Sequence, residues 1–140
     1  MKLPLFTRLF PRIGAAIYVT GIVSFLATSI LELPVTEMPD VLHAVILLAA
    51  AIAGFGFLLH FRRILARGPL ETVLYALVTC HLLLSAVLHA WSLAAGSNEW
   101  IGLFPPWYPY LAMAYFVFFA WLCWRFPAGR TRRGGGNAQV

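Results

Sequence analysis

Charged side chains are scarce in this chain. Asp, Glu, Lys and Arg together make up 11% of the 140 residues, whereas 61% are hydrophobic. Soluble domains are nearer a quarter charged. The composition therefore excludes an ordinary water-soluble domain and indicates an integral membrane protein.

Cysteine is also rare, with two residues in the whole chain, Cys80 and Cys123. Both lie in apolar stretches rather than in the connecting segments where disulfides form, and there is no CxxC motif. We expect two free thiols that behave as small apolar side chains.

Catalytic patterns are missing as well. The sequence has no Gly-rich phosphate loop, no HExxH motif and no pair of carboxylates within an apolar stretch. Ser85 lies near His81 and His89 along the chain, but no acidic residue is expected at the same depth. The sequence predicts no catalytic constellation, although a bound cofactor would still carry redox chemistry.

What the chain does have is four long apolar stretches, at about residues 12–31, 41–61, 70–95 and 107–126. A membrane-spanning helix needs about 20 apolar residues, so each stretch is long enough to span. The predicted fold is all-α, an integral membrane four-helix bundle of up-down-up-down topology over residues 1–127. Residues 128–140 are basic and Gly-rich, and we expect a disordered tail along anionic lipid.

The ten basic residues all lie in, or at the border of, the first, third and fifth of the five segments that flank or join these stretches. They are Lys2, Arg8, Arg12, Arg62, Arg63, Arg67, Arg125, Arg130, Arg132 and Arg133. The charged residues of the second and fourth segments are all acidic: Glu32, Glu37, Asp40 and Glu99. This is the positive-inside pattern, which predicts both termini in the cytoplasm of a bacterial inner (plasma) membrane. It also accounts for the net charge of +5 without nucleic acid, so the expected partner is the lipid bilayer.

The first of these segments is amphipathic as well as basic. Leucine and phenylalanine alternate with Lys2, Arg8 and Arg12 over residues 1–12. Such a segment is typical of a helix lying in the membrane interface. We therefore expect residues 1–12 to rest on the inner leaflet ahead of the first span.

Histidines inside or at the edge of the apolar stretches are the main candidates for function, because ionisable groups at membrane depth are expensive. At about 100° per residue, four polar residues of the third span form one seam along a helix face, which should point into the bundle: His81, Ser85, His89 and Ser92. On the second span, His43 and Gly54 share a face, within a run of small residues where a flat cofactor could approach the backbone.

Helical phase and depth pair two of these histidines. With about 1.5 Å of rise per residue, His43 and His89 come to similar heights near the outer face, as a bis-histidine haem b requires. The predicted metal ligands are therefore His43 and His89, with Gly54 and Ser85 as further cofactor-binding residues. His60 and His81 differ in height by about 10 Å or more, so a second haem between them is not expected.

Two segments carry a family resemblance. The sequence Met38-Pro39-Asp40-Val41-Leu42-His43, then an apolar run, then Leu58-Leu59-His60-Phe61-Arg62-Arg63, resembles the small four-helix b-type cytochromes. These include membrane subunits of formate dehydrogenases and hydrogenases and related cytochrome b-like domains. The resemblance covers about two spans and implies a helical bundle that holds haem. It departs from the family pattern at His60, which is turned by about 100° from His43.

The fourth stretch is crowded with aromatic residues on all sides of the helix. This pattern is typical of a lipid-facing helix with interfacial anchors. It also fits a wall for a planar ligand such as a quinone, a haem or a pigment.

The sequence leaves three functions open. The first is an electron-transferring membrane subunit with one haem b between His43 and His89. The second is a cofactor-free accessory subunit that packs against other membrane subunits or against copies of itself. The third is a small channel or transporter lined by the seam of His81, Ser85, His89 and Ser92, which would need an oligomer.

Overall fold

The computed structural model describes residues 4–32 and 38–128, and all the regular elements within these ranges are helices. Helix α1 runs over Pro4–Phe25 and ends in a π-helical turn, Leu26–Ile30. Helices α2 (Asp40–Leu59), α3 (Phe61–Leu65), α4 (Pro69–Ala95) and α5 (Tyr108–Arg125) follow, with short 3₁₀ turns at Glu99–Leu103 and Phe126–Ala128. The predicted tail lies mostly outside the described residues.

Helices α2, α4 and α5 cover the second, third and fourth apolar stretches, with ends that differ from those of the stretches by at most two residues. By length and composition, three helical segments are apolar enough to cross a membrane: Leu5–Ile30, Asp40–Leu59 and Pro69–Ala95. Helix α5 is not among them, because its 18 residues include tyrosines, tryptophans, a proline and an arginine. The chain is thus an all-helical protein of membrane type.

The surface of the bundle is apolar along the helices. Leu59, Val41 and Leu70 are each more than two-thirds exposed, and many other large apolar side chains face outward on α1, α2, α4 and α5. Water-soluble monomers rarely expose apolar patches of this extent. The helices therefore present surfaces suited to lipid.

The start of α1 differs from the prediction. Residues 4–12 do not form a separate segment but continue the first helix, with Pro11 inside it. Phe10 is fully buried against Gly56 of α2, where an added Cβ would lie only 2.4 Å from the Phe10 ring. Packing against another helix, which the sequence pattern does not reveal, explains why the Phe10 side of this segment faces protein, whereas Leu5 and Leu9 are exposed.

Helix α2 lies closest to α4, and α1 lies between α2 and α5. Helices α4 and α5 are bridged by long side chains, since the Tyr75 hydroxyl donates to the Leu122 carbonyl over 2.9 Å. We call the end where α1 begins, α3 lies and α5 ends the basic end. The opposite end, where α2 begins and α4 ends, is the acidic end.

The basic end is closed by an aromatic cluster of four buried rings, which makes up part of one continuous apolar core. Its members are Phe10, Phe57, Tyr75 and Phe126, whose neighbouring ring centroids are 5.0–5.7 Å apart. Such edge-to-face and tilted contacts add to the free energy of burial. They join residues from α1, α2, α4 and the turn after α5.

Charged groups cover this cluster. The Arg67 guanidinium lies 4.5 Å from the Phe126 ring centroid and donates to the Phe126 carbonyl. Glu71 accepts a hydrogen bond from Arg125 and lies 3.5 Å from Arg67. The Glu71 carboxylate thus contacts two arginines, Arg67 before the start of α4 and Arg125 at the end of α5.

Candidate functional site: two histidine centres joined by aromatic rings

His43 of α2 and His89 of α4 are in direct contact near the acidic end. Their Nδ1 atoms are 2.8 Å apart, their ring planes are tilted by 49°, and the residues are 2% and 8% exposed. One imidazole must donate through Nδ1–H while the other accepts, so two neutral rings adopt opposite tautomers. The two histidines that helical phase and rise pair in the sequence are therefore in contact in the structure.

The contact is too close for a haem in this arrangement. Two imidazole nitrogens on opposite sides of one metal ion, each at about 2.0 Å, must be about 4 Å apart. Gly54 leaves no gap for a porphyrin either, because it is pressed against α4: an added Cβ would lie 2.8 Å from a Leu83 methyl carbon. The predicted cofactor-binding glycine thus serves the close approach of α2 to α4.

His81 forms a second centre, at the middle of α4. Its Nδ1 lies 3.1 Å from the hydroxyl of Tyr18, a fully buried residue of α1. The Tyr18 hydroxyl also lies 3.5 Å from the Val78 carbonyl, as a donor. The sequence pattern does not reveal this pair, because the two residues are 63 positions apart. The one available signal is a tyrosine in mid-span, whose hydroxyl needs a partner when buried.

A shallow groove runs along the side of the bundle next to His81. It has a volume of about 360 Å³ and opens between α4 and α5. Six residues line it: Leu77, Cys80, His81, Leu84, Tyr115 and Phe119. The side chain of His81 is half-buried, and within the described part of the chain its Nε2 has no hydrogen-bond partner.

The predicted polar seam of α4 faces different neighbours along its length. His81 contacts Tyr18 of α1 and the rings of α5, whereas His89 contacts His43 of α2. Ser85 lies half-buried between the two histidines and hydrogen-bonds neither. The seam is therefore divided between two sites.

The fourth seam residue supports the histidine pair. Ser92 is buried, and its hydroxyl accepts a 2.7 Å hydrogen bond from Trp100 Nε1. The Trp100 ring in turn lies 5.9 Å from that of His89. Trp100, which sequence reasoning treats as a membrane-interface residue, thus packs over the pair.

A chain of ring contacts connects the two histidine centres. Successive centroids are 4.3–6.4 Å apart through Tyr115, Tyr108, Phe104 and Trp100, from His81 to His89. The hydroxyls of Tyr108 and Tyr115 are also hydrogen-bonded to each other.

His60 belongs to neither centre. Its Nδ1 donates to the Gly56 carbonyl over 2.9 Å, and its Nε2 lies 3.4 Å from the Thr7 hydroxyl. Its ring packs against Phe10 of α1, with centroids 5.0 Å apart. These contacts fasten the start of α1 to the end of α2 at the basic end.

The two thiols are free. Cys123 is buried in the core, whereas Cys80 is exposed at the groove. In the described part of the chain, no three His, Cys, Asp or Glu residues are grouped as metal ligands. Comparisons with models of protein families, with curated proteins and with solved structures gave no match.

Proposed function

We propose that this chain is a four-span membrane subunit that binds a quinone-class lipid in the groove beside His81. The observation that carries the proposal is a histidine lining a lipid-facing groove, with one ring nitrogen held by Tyr18 and the other without a partner in the described chain. A polar group at membrane depth is costly unless it is satisfied. A ligand with a hydrogen-bonding group would satisfy it.

The lining of the groove narrows the ligand class. The ligand reaches the groove from the bilayer, so it must be lipid-soluble. Tyr115 and Phe119 offer aromatic walls against which a flat ring can pack. The volume of the groove lies at the lower end of the range of known ligand sites, about 300–1,000 Å³, which suits a single ring with a tail that continues into lipid.

Tyr18 allows His81 to hydrogen-bond both the quinone and the quinol form of such a ligand. When the Tyr18 hydroxyl donates to Nδ1, the proton of a neutral His81 is on Nε2, which can donate to a quinone carbonyl. When Tyr18 donates to the Val78 carbonyl, Nδ1–H can donate to the tyrosine oxygen, and Nε2 can accept from a quinol hydroxyl. A bound quinone would itself supply the redox chemistry, while the chain positions its ring.

Photolabelling tests the proposal. The protein, reconstituted in liposomes, is illuminated with a short-tailed azidobenzoquinone, and the labelled peptides are mapped by mass spectrometry. We expect labels within residues 77–84 and 115–119, competed by unlabelled quinone. His81→Ala should lower the labelling by roughly tenfold, equivalent to about 1.4 kcal/mol.

A second pair of variants blocks the groove while leaving His81 in place. Leu77 and Val73 are both about half exposed on α4, but only Leu77 lines the groove. Leu77→Trp should suppress labelling, and Val73→Trp should not. Equal labelling of all lipid-facing segments, without competition, would refute the quinone site.

A further inference from the structure

We infer that His43 and His89 chelate one divalent transition-metal ion at the acidic end. Their Nδ1 atoms are 2.8 Å apart. Two imidazole nitrogens at neighbouring positions on one ion, with bonds of about 2.0–2.1 Å, are about 2.9 Å apart at a right angle and about 3.3 Å apart in a tetrahedron. The same separation that excludes a haem therefore suits an ion bound by both rings from one side.

The two ligands are held in place before an ion arrives. His43 and His89 are buried on adjacent helices, and the Trp100 ring packs against His89 while donating to Ser92. Side chains fixed by such neighbours lose little freedom on binding. Chelation moves the shared proton from Nδ1 to Nε2 of one ring, so that both Nδ1 lone pairs face the ion and the two neutral rings keep their protons.

The charge around the pair also favours a cation. The charged side chains that the structure describes at the acidic end are all carboxylates: Glu32, Asp40 and Glu99. Asp40 lies one helical turn before His43 and on the same side of α2. Carboxylates gathered at one end raise the local concentration of cations.

The ligand type indicates the kind of ion. Imidazole nitrogen suits Zn²⁺, Cu²⁺ and Ni²⁺, whereas Mg²⁺ and Ca²⁺ prefer oxygen. No third His, Cys, Asp or Glu joins the pair among the residues described. Water molecules then fill the remaining coordination positions of the ion.

Isothermal titration calorimetry of the detergent-solubilised protein with Zn²⁺, and separately with Cu²⁺, tests the inference. We expect one ion per chain, and an affinity roughly tenfold or more lower in His43→Gln and in His89→Gln. Glutamine can still hydrogen-bond the remaining imidazole, so these variants keep a partner for the pair. His60→Gln, a histidine variant at the other end, should bind as the wild type does.

A variant that gains a spectroscopic signal on binding an ion is also needed, because a loss of binding could come from a failure to fold. His43→Cys places a thiolate in the site, so Co²⁺ added to it should produce a sulfur-to-cobalt charge-transfer band that the wild type lacks. Absence of saturable binding, or binding in both glutamine variants that equals binding in the wild type, means adventitious metal only and overturns the inference. The result is independent of the groove, because quinone labelling reports on His81 alone.

Discussion

The two ends of the bundle bury different kinds of side chain. At the basic end, four aromatic rings from α1, α2, α4 and the turn after α5 pack together, and Arg67, Glu71 and Arg125 cover them. At the acidic end, the described contacts include a buried histidine pair and the part-buried Ser92–Trp100 hydrogen bond. We therefore expect the basic end to contribute most of the stability, and the middle and the acidic end to contribute binding.

The largest expected effect is the loss of an aromatic ring from the basic end. Phe57 is fully buried and contacts Phe10, Tyr75 and Phe126. Phe57→Ala should lower the free energy of unfolding by about 3–5 kcal/mol, measured by denaturant titration in mixed micelles. Phe55→Ala, at a position of α2 that is 55% exposed, serves as the control and should change it little.

A smaller effect is expected from breaking the histidine pair. His89→Ala leaves the His43 ring buried without its partner, which costs about 1–3 kcal/mol. His89→Gln should recover most of this loss, since it restores a hydrogen-bonding group. If the alanine variant destabilised the protein as much as Phe57→Ala does, the two ends would contribute equally and the proposed division would be wrong.

The ion-pair network at the basic end should contribute less again. Glu71 contacts both Arg67 and Arg125, but its side chain is 26% exposed. Partial screening by solvent limits the cost of Glu71→Gln to about 1 kcal/mol, with weaker dependence on salt than in the wild type. Glu99→Gln, at the exposed acidic end, is the matched control and should leave unfolding unchanged.

The smallest expected effect on stability comes from the Tyr18–His81 hydrogen bond. Bonds between side chains of membrane helices contribute about 0.6 kcal/mol on average, so Tyr18→Phe should barely change unfolding. Quinone labelling should nevertheless fall, because His81 loses the group that sets its tautomer. Unchanged labelling in Tyr18→Phe would show that Tyr18 takes no part in quinone binding.

Hydrophobic periodicity predicted several helices and the histidine contact. It did not predict contacts between residues that are far apart along the chain. The bounds of α2, α4 and α5 follow from apolar length. The contact of His43 with His89 follows from helical phase and rise, because both quantities are local. The partners of His81, Glu71 and Ser92 depend on which helices are neighbours, and Phe10 is buried for the same reason. A single sequence does not encode that adjacency in any local pattern.

Impermeant thiol labelling tests most directly the claim that the two ends lie on opposite sides of a bilayer. Single cysteines replace Ser97 at the acidic end, Arg63 at the basic end and Pro127 after α5, in a background without Cys80 and Cys123. In intact cells, the account predicts that Ser97→Cys reacts and that Arg63→Cys and Pro127→Cys react only after the membrane is opened. Labelling of Pro127→Cys in intact cells would show that α5 does not cross, and labelling of all three would contradict the membrane arrangement altogether.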